Sequence, residues 1–318
     1  MASHSRYRGS ILSSLTKASL ELLRVFVCAL PEKMALSLGS AIGNILRILL
    51  PGKGKIVREN LGRSNLVLPE GVSVHAFERR IFRHVGRVGI EFLRLGVITD
   101  ESIRNRVSIE GLDTFKEEFK RGKGVILLSG HVGNWEIAIR RMSLECPGRM
   151  HALVRRIKDP AVDAFIDSHR RAFGGGEPIL SDLGVRPLIR ALGKGDVVGV
   201  MLDQNAGADE GEFVPFFGRM ACTYASLARL SLLLKIPVFP VFSFRDPDAY
   251  HHHISISSPI GPMLELPPDE AIYQQTLLYT KAIERTIRSH PDQWIWMHRR
   301  WKTRCPEVTA VRSRIPPA

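Results

Sequence analysis

The sequence predicts an α/β fold in which a mixed, largely parallel sheet is flanked by helices. Three observations support this fold class. Strand-like and helix-like segments alternate from about residue 105 onward. The runs at 125–128 and 197–202 are apolar throughout, as in strands buried on both faces of a parallel sheet. Glycine-containing breaks at 122–124 and 193–195 precede these two runs.

Two apolar stretches, 11–30 and 34–50, precede the alternating region. The first carries Lys17, Glu21 and Arg24, which makes it too polar for a clear membrane-spanning helix, and it lacks a signal-peptide cleavage site. Apolar helices flanked by Lys and Arg are typical of segments bound to the cytoplasmic face of an anionic membrane. We therefore expect residues 1–60 to be a helical membrane-associating segment. An amphipathic hairpin packed on the domain is the alternative.

The later elements follow in order along the chain. The strand 125–128 leads through a turn containing Gly133 to a helix over Trp135–Ser143, with Asn134 as its N-cap. The remaining predicted elements are a strand at 151–155, a helix at 163–173 stopped by glycines 174–176, a helix at 185–192, the strand 197–202, a helix capped by Thr223 and ending at Leu234, and strands at 237–244 and 253–257. No internal repeat or long linker interrupts the chain. We expect one domain over 61–308 and a loose tail over 309–318.

Composition limits the functional classes. The 318 residues include 45 Lys and Arg against 32 Asp and Glu, a net charge of +13 that predicts an anionic partner. With 44% hydrophobic and 24% charged residues, the composition is unlike that of a disordered chain or a polytopic membrane protein. The four cysteines form no Cys-x-x-Cys pair and suggest neither a disulfide framework nor a zinc site. The adjacent histidines 251–253 would point to alternate faces of a strand, so we assign them no metal.

Candidate catalytic residues follow the first buried strand. His131 stands at the carboxyl end of that strand, where open α/β sheets bind their ligands. Glu136 falls in the first turn of the next helix, and we expect it to orient the imidazole and raise its basicity. No Ser or Cys nucleophile accompanies the pair, which suggests a base that acts on a substrate hydroxyl. A structural histidine beside an acid that complements the helix dipole is the alternative.

Asp203 follows the second buried run in the same way, so it and His131 are expected to face one cleft. Its predicted role is a polar anchor for substrate or for a neighbouring arginine, and the alternative is an ordinary turn residue. Three phenylalanines nearby, Phe213, Phe216 and Phe217, are too apolar for a surface loop. They are candidates for an acyl-chain channel or for the core.

Several motifs, in order along nearly the whole chain, carry a resemblance to a known family. They are the ten residues at 30–39 (Leu-Pro-Glu-Lys-Met-Ala-Leu-Ser-Leu-Gly), Arg-Glu-Asn-Leu at 58–61, the His-x-x-x-x-Glu pair at 131–136, Asp-Gln-Asn-Ala-Gly at 203–207, Phe-Val-Pro-Phe-Phe-Gly at 213–218, and Gln-Trp-Ile-Trp-Met-His-Arg-Arg-Trp-Lys at 293–302. The chain resembles the bacterial lipid A biosynthesis (late) acyltransferases, within the glycerolipid-type acyltransferases. Asn205 departs from the pattern, because an acidic residue is frequent there.

The resemblance implies a glycerolipid-acyltransferase-like fold and a specific reaction. A fatty acyl chain would pass from acyl-acyl carrier protein to a hydroxyl of a phosphorylated lipid A precursor, at the cytoplasmic face of the inner membrane. His131 would be the base, Glu136 its orienting acid, and no metal or cofactor would be needed. Arg155 and then Arg171 are the arginines expected to stabilise the oxyanion or bind phosphate, together with backbone amides near Asn134.

Other functions remain open at this point. A relative acting on another membrane glycolipid, such as a phosphatidylinositol mannoside, with acyl-CoA as donor would carry the same His and Glu. The segment 294–304 interleaves tryptophans with basic residues, which is typical of a membrane-interface belt or of single-stranded nucleic-acid binding. The resemblance favours a structural role for it, with a phosphate contact. A non-enzymatic basic membrane- or nucleic-acid-binding protein is the distant alternative, and no nucleic acid is expected.

Overall fold

The computed structural model describes residues 2–172, 177–248 and 250–306, and only the backbone of residues 2–14. The helices are α1 (Ala2–Ala29), α2 (Glu32–Leu49), α3 (Pro51–Ser64), α4 (Val74–Arg94), α5 (Asp100–Arg106), α6 (Leu112–Lys120), α7 (Trp135–Ser143), α8 (Pro160–Arg171), α9 (Arg186–Gly193), α10 (Ser226–Leu234) and α11 (Pro268–Ser289). The strands are β1 (Val107–Glu110), β2 (Val125–Ser129), β3 (Met150–Val154), β4 (Ile179–Leu180), β5 (Val197–Met201), β6 (Gly211–Phe216), β7 (Arg219–Tyr224), β8 (Val238–Arg245) and β9 (His252–Ile256).

Parallel pairing of apolar strands organises the main sheet. Its order is β1-β9-β8-β2-β5-β3-β4, and β8 with β9 form the antiparallel pair. Helical connections return the chain to the starting edge after β2, β3 and β4, which is what parallel neighbours require. The predicted mixed, largely parallel sheet flanked by helices is confirmed.

Side chains of β2 alternate between two cores, one on each face of the sheet. Ile126 and Leu128 lie in a cluster with residues of α10 and α11, whereas Val125 and Leu127 lie in a second cluster with residues of α6 and α7. Because successive side chains of a strand point to opposite faces, a strand covered on both sides must be apolar throughout. The continuous apolar run in the sequence has this physical origin.

A separate antiparallel hairpin, β6 and β7, departs from the predicted elements. Its strands pair from Gly211 opposite Tyr224 to Phe216 opposite Arg219. Phe217 and Gly218 form the turn with positive φ angles of 53° and 73°. The prediction that Thr223 caps a helix is wrong, because Thr223 lies within β7 and α10 begins at Ser226. The residues around Thr223 belong to the second strand of the hairpin. The predicted end of α10 at Leu234 is confirmed.

Helix α2 packs on α4, and α1 packs on both α4 and α8. Helices α2 and α4 cross closely at small residues, since a Cβ added to Gly86 would stand 2.1 Å from the carbonyl oxygen of Gly39. The outer faces of α1 and α2 leave large apolar side chains exposed, among them Leu22, Phe26, Ile45, Ile48 and Leu49. Among the described residues no single helix is long and apolar enough to cross a bilayer. Helices α2 and α3, which meet at a bend of 93°, are together long and apolar enough to cross a bilayer, by length and composition alone.

Most predicted boundaries lie close to the observed ones. Helix α7 is predicted at its observed bounds, and each boundary of the five predicted strands lies within one residue of the observed one. The elements without a counterpart in the prediction are the helices α3, α4, α5, α6 and α11 and the strands β1, β4, β6 and β7. The predicted glycine stop at 174–176 and the predicted tail at 309–318 lie outside the described residues.

Candidate functional site

Strand register brings His131 and Asp203 together. Strands β2 and β5 are parallel neighbours with Ser129 opposite Met201, and His131 and Asp203 each follow two residues later. The carboxyl ends of parallel neighbours lie at the same edge of the sheet, so both side chains emerge there. Gly133, two residues after His131, turns the chain with a φ of +60°. A Cβ at this position would stand 1.7 Å from the Ser243 carbonyl oxygen, so only glycine fits.

Asp203 is the hydrogen-bonding partner of the His131 ring. Its Oδ1 lies 2.9 Å from His131 Nδ1, and its Oδ2 accepts from the His131 backbone N–H at 2.9 Å and from the Trp294 indole N–H at 2.8 Å. A carboxylate beside Nδ1 fixes the tautomer that carries its proton there. Nε2 is then the basic nitrogen, and it has no hydrogen bond to any residue that the structure describes.

The electrostatics of the pair favour a protonatable imidazole beside an ionised carboxylate. Burial by itself lowers the pKa of His131, but the charge and hydrogen bond of Asp203, with a contribution from Glu136, raise it above its ordinary value. Burial by itself raises the pKa of Asp203, whereas its interactions with His131 and Trp294 hold it well below its usual range. Asp203 is therefore a buried carboxylate that stabilises a positive charge on the ring.

Glu136, which we expected to orient the imidazole, forms its hydrogen bonds elsewhere. Its carboxylate accepts from Arg170 Nε at 3.2 Å and Nη2 at 2.5 Å, and from the Trp135 indole at 3.1 Å. The orienting hydrogen bond predicted for Glu136 is thus made by Asp203 in this structure. The physical reason is that helix α7 carries Glu136 away from Nδ1, whereas β5 delivers Asp203 directly beside it. Glu136 acts on His131 through its charge.

Asn134 caps helix α7 as predicted, and this cap limits what the helix terminus offers to a ligand. Its Oδ1 accepts from the backbone N–H groups of Glu136 and Ile137, both at 3.1 Å. These two amides are among those we expected to hold an oxyanion, and the cap already occupies them. The side chain of Asn134 is fully buried, and its Nδ2 donates to Glu91.

The two predicted arginines, Arg155 and Arg171, differ in their surroundings, and neither of them binds Glu136. Arg155 follows β3 at the same edge of the sheet, and its exposed side chain has no ion pair with a described residue. Arg171 is tied to Asp167 and Glu177 at 2.8 and 2.7 Å. Successive residues of a helix point about 100° apart, so α8 can direct only one of the two consecutive arginines at Glu136. That residue is Arg170, half-buried at 27% side-chain exposure.

The C-terminal tryptophan segment packs into the core beside the site. Gly133 N–H donates to the Gln293 carbonyl and Ile295 N–H to the His131 carbonyl, at 2.9 and 3.1 Å. Trp294, Trp296 and Trp301 are buried, so they do not form an exposed aromatic belt. His298 Nε2 accepts from the Asn205 N–H at 2.9 Å, which ties the segment to the chain after Asp203. A structural role for this segment accounts for its contacts.

The candidate channel phenylalanines divide into two groups. Phe216 and Phe217 are buried, and Phe216 contacts Trp294 and Trp301 at ring-centroid distances of 5.8 and 5.7 Å. Both rings belong to the aromatic core beneath the hairpin. Phe213 is only half-buried.

Sequence reasoning missed Arg170, the indole of Trp294 and the Asn205–His298 contact. A signal for Arg170 exists, because Ala161, Phe165 and His169 recur at four-residue intervals on the buried face of α8 and Arg170 follows directly. The indole contact has no comparable signal, because 91 residues separate the two partners. Among the described residues, no group of three or more His, Cys, Asp or Glu is arranged to hold a metal ion.

Comparison with known proteins gives a consistent result. A family model described as bacterial lipid A biosynthesis acyltransferase matches residues 6–303. The lipid A biosynthesis lauroyltransferase of Escherichia coli strain K12 is 26% identical over 293 residues, 90% of each chain. The palmitoleoyltransferase of the same strain is 28% identical over 86% of this chain and 87% of its own. Lipid A biosynthesis acyltransferase 2 of Shigella flexneri is 28% identical over 66% of this chain and 65% of its own length.

Proposed function

Because this chain belongs to the bacterial lipid A biosynthesis acyltransferase family, we propose that it moves a fatty acyl chain from acyl-acyl carrier protein to a hydroxyl of a lipid A precursor. The observation that carries this proposal is the His131–Asp203 pair at the carboxyl edge of the sheet. Nε2 of its imidazole has no hydrogen bond to a described residue, and no described Ser or Cys is hydrogen-bonded to the ring. Such a site suits direct transfer to an incoming hydroxyl.

The reaction then takes place in two steps without an acyl-enzyme. His131 Nε2 takes the proton of the acceptor hydroxyl while its oxygen attacks the thioester carbonyl. The tetrahedral intermediate collapses, the carbon–sulfur bond breaks, and the imidazolium returns the proton to the leaving thiolate. Asp203 stabilises the imidazolium between these steps, as the buried carboxylate does in a catalytic triad.

Arg170 and Glu136 supply the second part of the site. Glu136 occupies Nε and Nη2 of the guanidinium, which leaves Nη1 to donate to an oxyanion or to a lipid phosphate. We assign Glu136 the role of holding Arg170 and of favouring the imidazolium by its charge. Arg155, exposed at the same edge, is a second donor for an anionic group of the substrate.

The net charge of +13 and the exposed apolar faces of α1 and α2 support a membrane location. The lipid acceptor resides in a bilayer, and the acyl carrier protein is an acidic, water-soluble donor. A basic protein that lies on the cytoplasmic face of the inner membrane through α1 and α2 would meet both.

The proposal is tested by acyl transfer from labelled acyl-acyl carrier protein to the lipid A precursor with the full chain. His131→Ala is expected to lower the rate by about 100-fold or more, because a positioned base contributes on the order of 10²–10⁴. The matched control is His151→Ala, since His151 also pairs with an aspartate, Asp196, at the other end of β5. Its rate is expected to stay near that of the wild type.

Two results would change this assignment. Equal activity of His131→Ala and the wild type would refute the mechanism. Transfer from acyl-CoA but not from the carrier protein, or to another glycolipid but not to the lipid A precursor, would retain the mechanism and replace the substrate.

A further inference from the structure

A buried charged cluster lies behind residues 130–134, the loop that joins β2 to α7 and is named the His131 loop. The cluster takes no part in the chemistry described above. Glu91 of α4, Arg245 of β8 and His252 of β9 are all buried. Arg245 donates to both carboxylate oxygens of Glu91, with Nη1 2.6 Å from Oε1 and Nη2 on Oε2, and His252 Nε2 lies 3.1 Å from Oε1. Burial by itself raises the pKa of Glu91, but Arg245 and His252 hold it well below its usual range. Glu91 is therefore ionised.

The fourth hydrogen bond of the Glu91 carboxylate comes from the His131 loop. Asn134 Nδ2 donates to Glu91 Oε2 at 2.7 Å, while Asn134 Oδ1 caps the first turn of α7. A carboxylate has about four acceptor positions, and here four donors occupy them. Glu91 thus fixes the side chain that starts α7, the helix that carries Glu136.

Two further contacts hold the same loop against the same cluster. Burial, together with the positive charge of Arg245, lowers the pKa of His84 to about 3, so His84 is neutral and its Nε2–H donates to the Gly133 carbonyl at 3.0 Å. The Gly133 N–H donates to the Gln293 carbonyl, and the Gln293 amide exchanges hydrogen bonds of 2.8 and 2.9 Å with the backbone of Arg245. The loop between β2 and α7 is thus held on several sides by groups that the proposed mechanism does not use.

We propose that Glu91 is a positioning residue for acyl transfer, which acts through Asn134 to hold the His131 loop and the start of α7 in their catalytic geometry. This inference rests on the proposed function only in naming the reaction that the loop performs. Replacement of the carboxylate by an amide leaves one acceptor oxygen in place of two, so one pair of buried donors loses its partner.

The test compares Glu91→Gln with Glu78→Gln in the full chain. Glu78 lies on the same helix α4 and is equally buried, and its ion pairs with described residues are to Arg47, Arg58 and His75, outside the loop. Glu91→Gln is expected to lower kcat about 10- to 100-fold with little change in KM, because a displaced catalytic group slows the chemical step. Glu78→Gln is expected to leave kcat near that of the wild type.

A second variant covers the case in which Glu91→Gln fails to fold. Asn134→Ser keeps an efficient helix cap and removes only the donor to Glu91, so its kcat is expected to fall while its melting temperature changes little. The double variant Glu91→Gln/Asn134→Ser is expected to lose no more kcat than the more impaired single variant, since the proposed effect of Glu91 on the loop passes through Asn134. Additive losses, or an equal kcat in Glu78→Gln and Glu91→Gln, would overturn the inference.

The ring nitrogen resonances of His131 report the same geometry without any substrate. They are expected to shift in Asn134→Ser and not in Glu78→Gln. Unchanged resonances in Asn134→Ser would overturn the positioning role whichever donor and acceptor the enzyme uses. Absence of turnover by the wild type would count against the proposed function alone.

Discussion

Two donors, the His131 backbone N–H and the Trp294 indole N–H, converge on one oxygen of Asp203. The other oxygen faces His131 Nδ1. In Asp203→Asn the amide oxygen would remain with the two donors, so the amide nitrogen would face Nδ1. That nitrogen donates, which forces the ring proton onto Nε2 and removes the base.

Asp203→Asn is therefore expected to lower kcat by about 100-fold or more, as loss of the correct tautomer does in other triads. The control is Asp196→Asn, at the opposite end of β5, where the carboxylate pairs with Arg149 and His151. Steady-state kinetics of the two variants check the prediction. An equal loss in both would mean that strand stability, and not the tautomer, sets the rate.

The pH profile tests the same pair. The base must be neutral to act, so kcat/KM of the wild type is expected to rise with pH through the pKa of His131, which lies above its ordinary value of 6.5. Without the Asp203 charge the imidazolium is less stable, so the rising limb of Asp203→Asn is expected at lower pH. A limb that stays in place would show that the profile reports another group.

At the scale of elements, the close crossing of α2 and α4 fixes the N-terminal helices on the domain. Gly86 faces the Gly39 carbonyl across this crossing, whereas Gly89, one turn later on α4, has open space where a Cβ would stand. The two glycines lie on the same helix, and they differ mainly in the space available for an added Cβ atom.

Gly86→Ala is expected to destabilise the protein by about 1–3 kcal/mol through overpacking. Gly89→Ala is expected to stabilise it by about 0.5–1 kcal/mol, because alanine is the better helix former. The midpoints of urea unfolding measure both changes. Equal shifts of the two urea midpoints, with the same sign, would show that α2 and α4 move apart readily to accept a side chain.

At the scale of the whole molecule, we expect the net charge of +13 and the exposed apolar faces of α1 and α2 to bind the protein to an anionic membrane. Leu49→Glu on α2 is expected to reduce binding to phosphatidylglycerol vesicles several-fold in a flotation assay, because it removes an apolar contact and adds repulsion. The control is Leu233→Glu on α10, because Leu233 is 66% exposed and Leu49 is 67% exposed. Equal binding by the two variants would exclude α2 from the membrane contact.

The sequence by itself determined the class of fold, the family and the two ends of buried strands that bear the site. Continuous apolar runs report burial on both faces of a parallel sheet, and the residues after them must emerge at its carboxyl edge. His131, Asp203 and the Asn134 cap are readable for this reason, because each depends on nearby sequence. The hairpin of β6 and β7 was not predicted, because no element is predicted over 211–222 and Thr223 is predicted to cap a helix.

Only the tertiary structure decided which acid orients His131. Glu136 is five residues from His131 and Asp203 is 72, yet the parallel register of β2 and β5 places the distant residue against Nδ1. The contact of Glu136 with Arg170 and not with Arg171, and the contact of Glu91 with Asn134, likewise depend on how elements remote in sequence pack. Local sequence patterns specify the position of a residue on its own helix or strand. Its hydrogen-bonding partner is set by the element that the tertiary structure packs beside it.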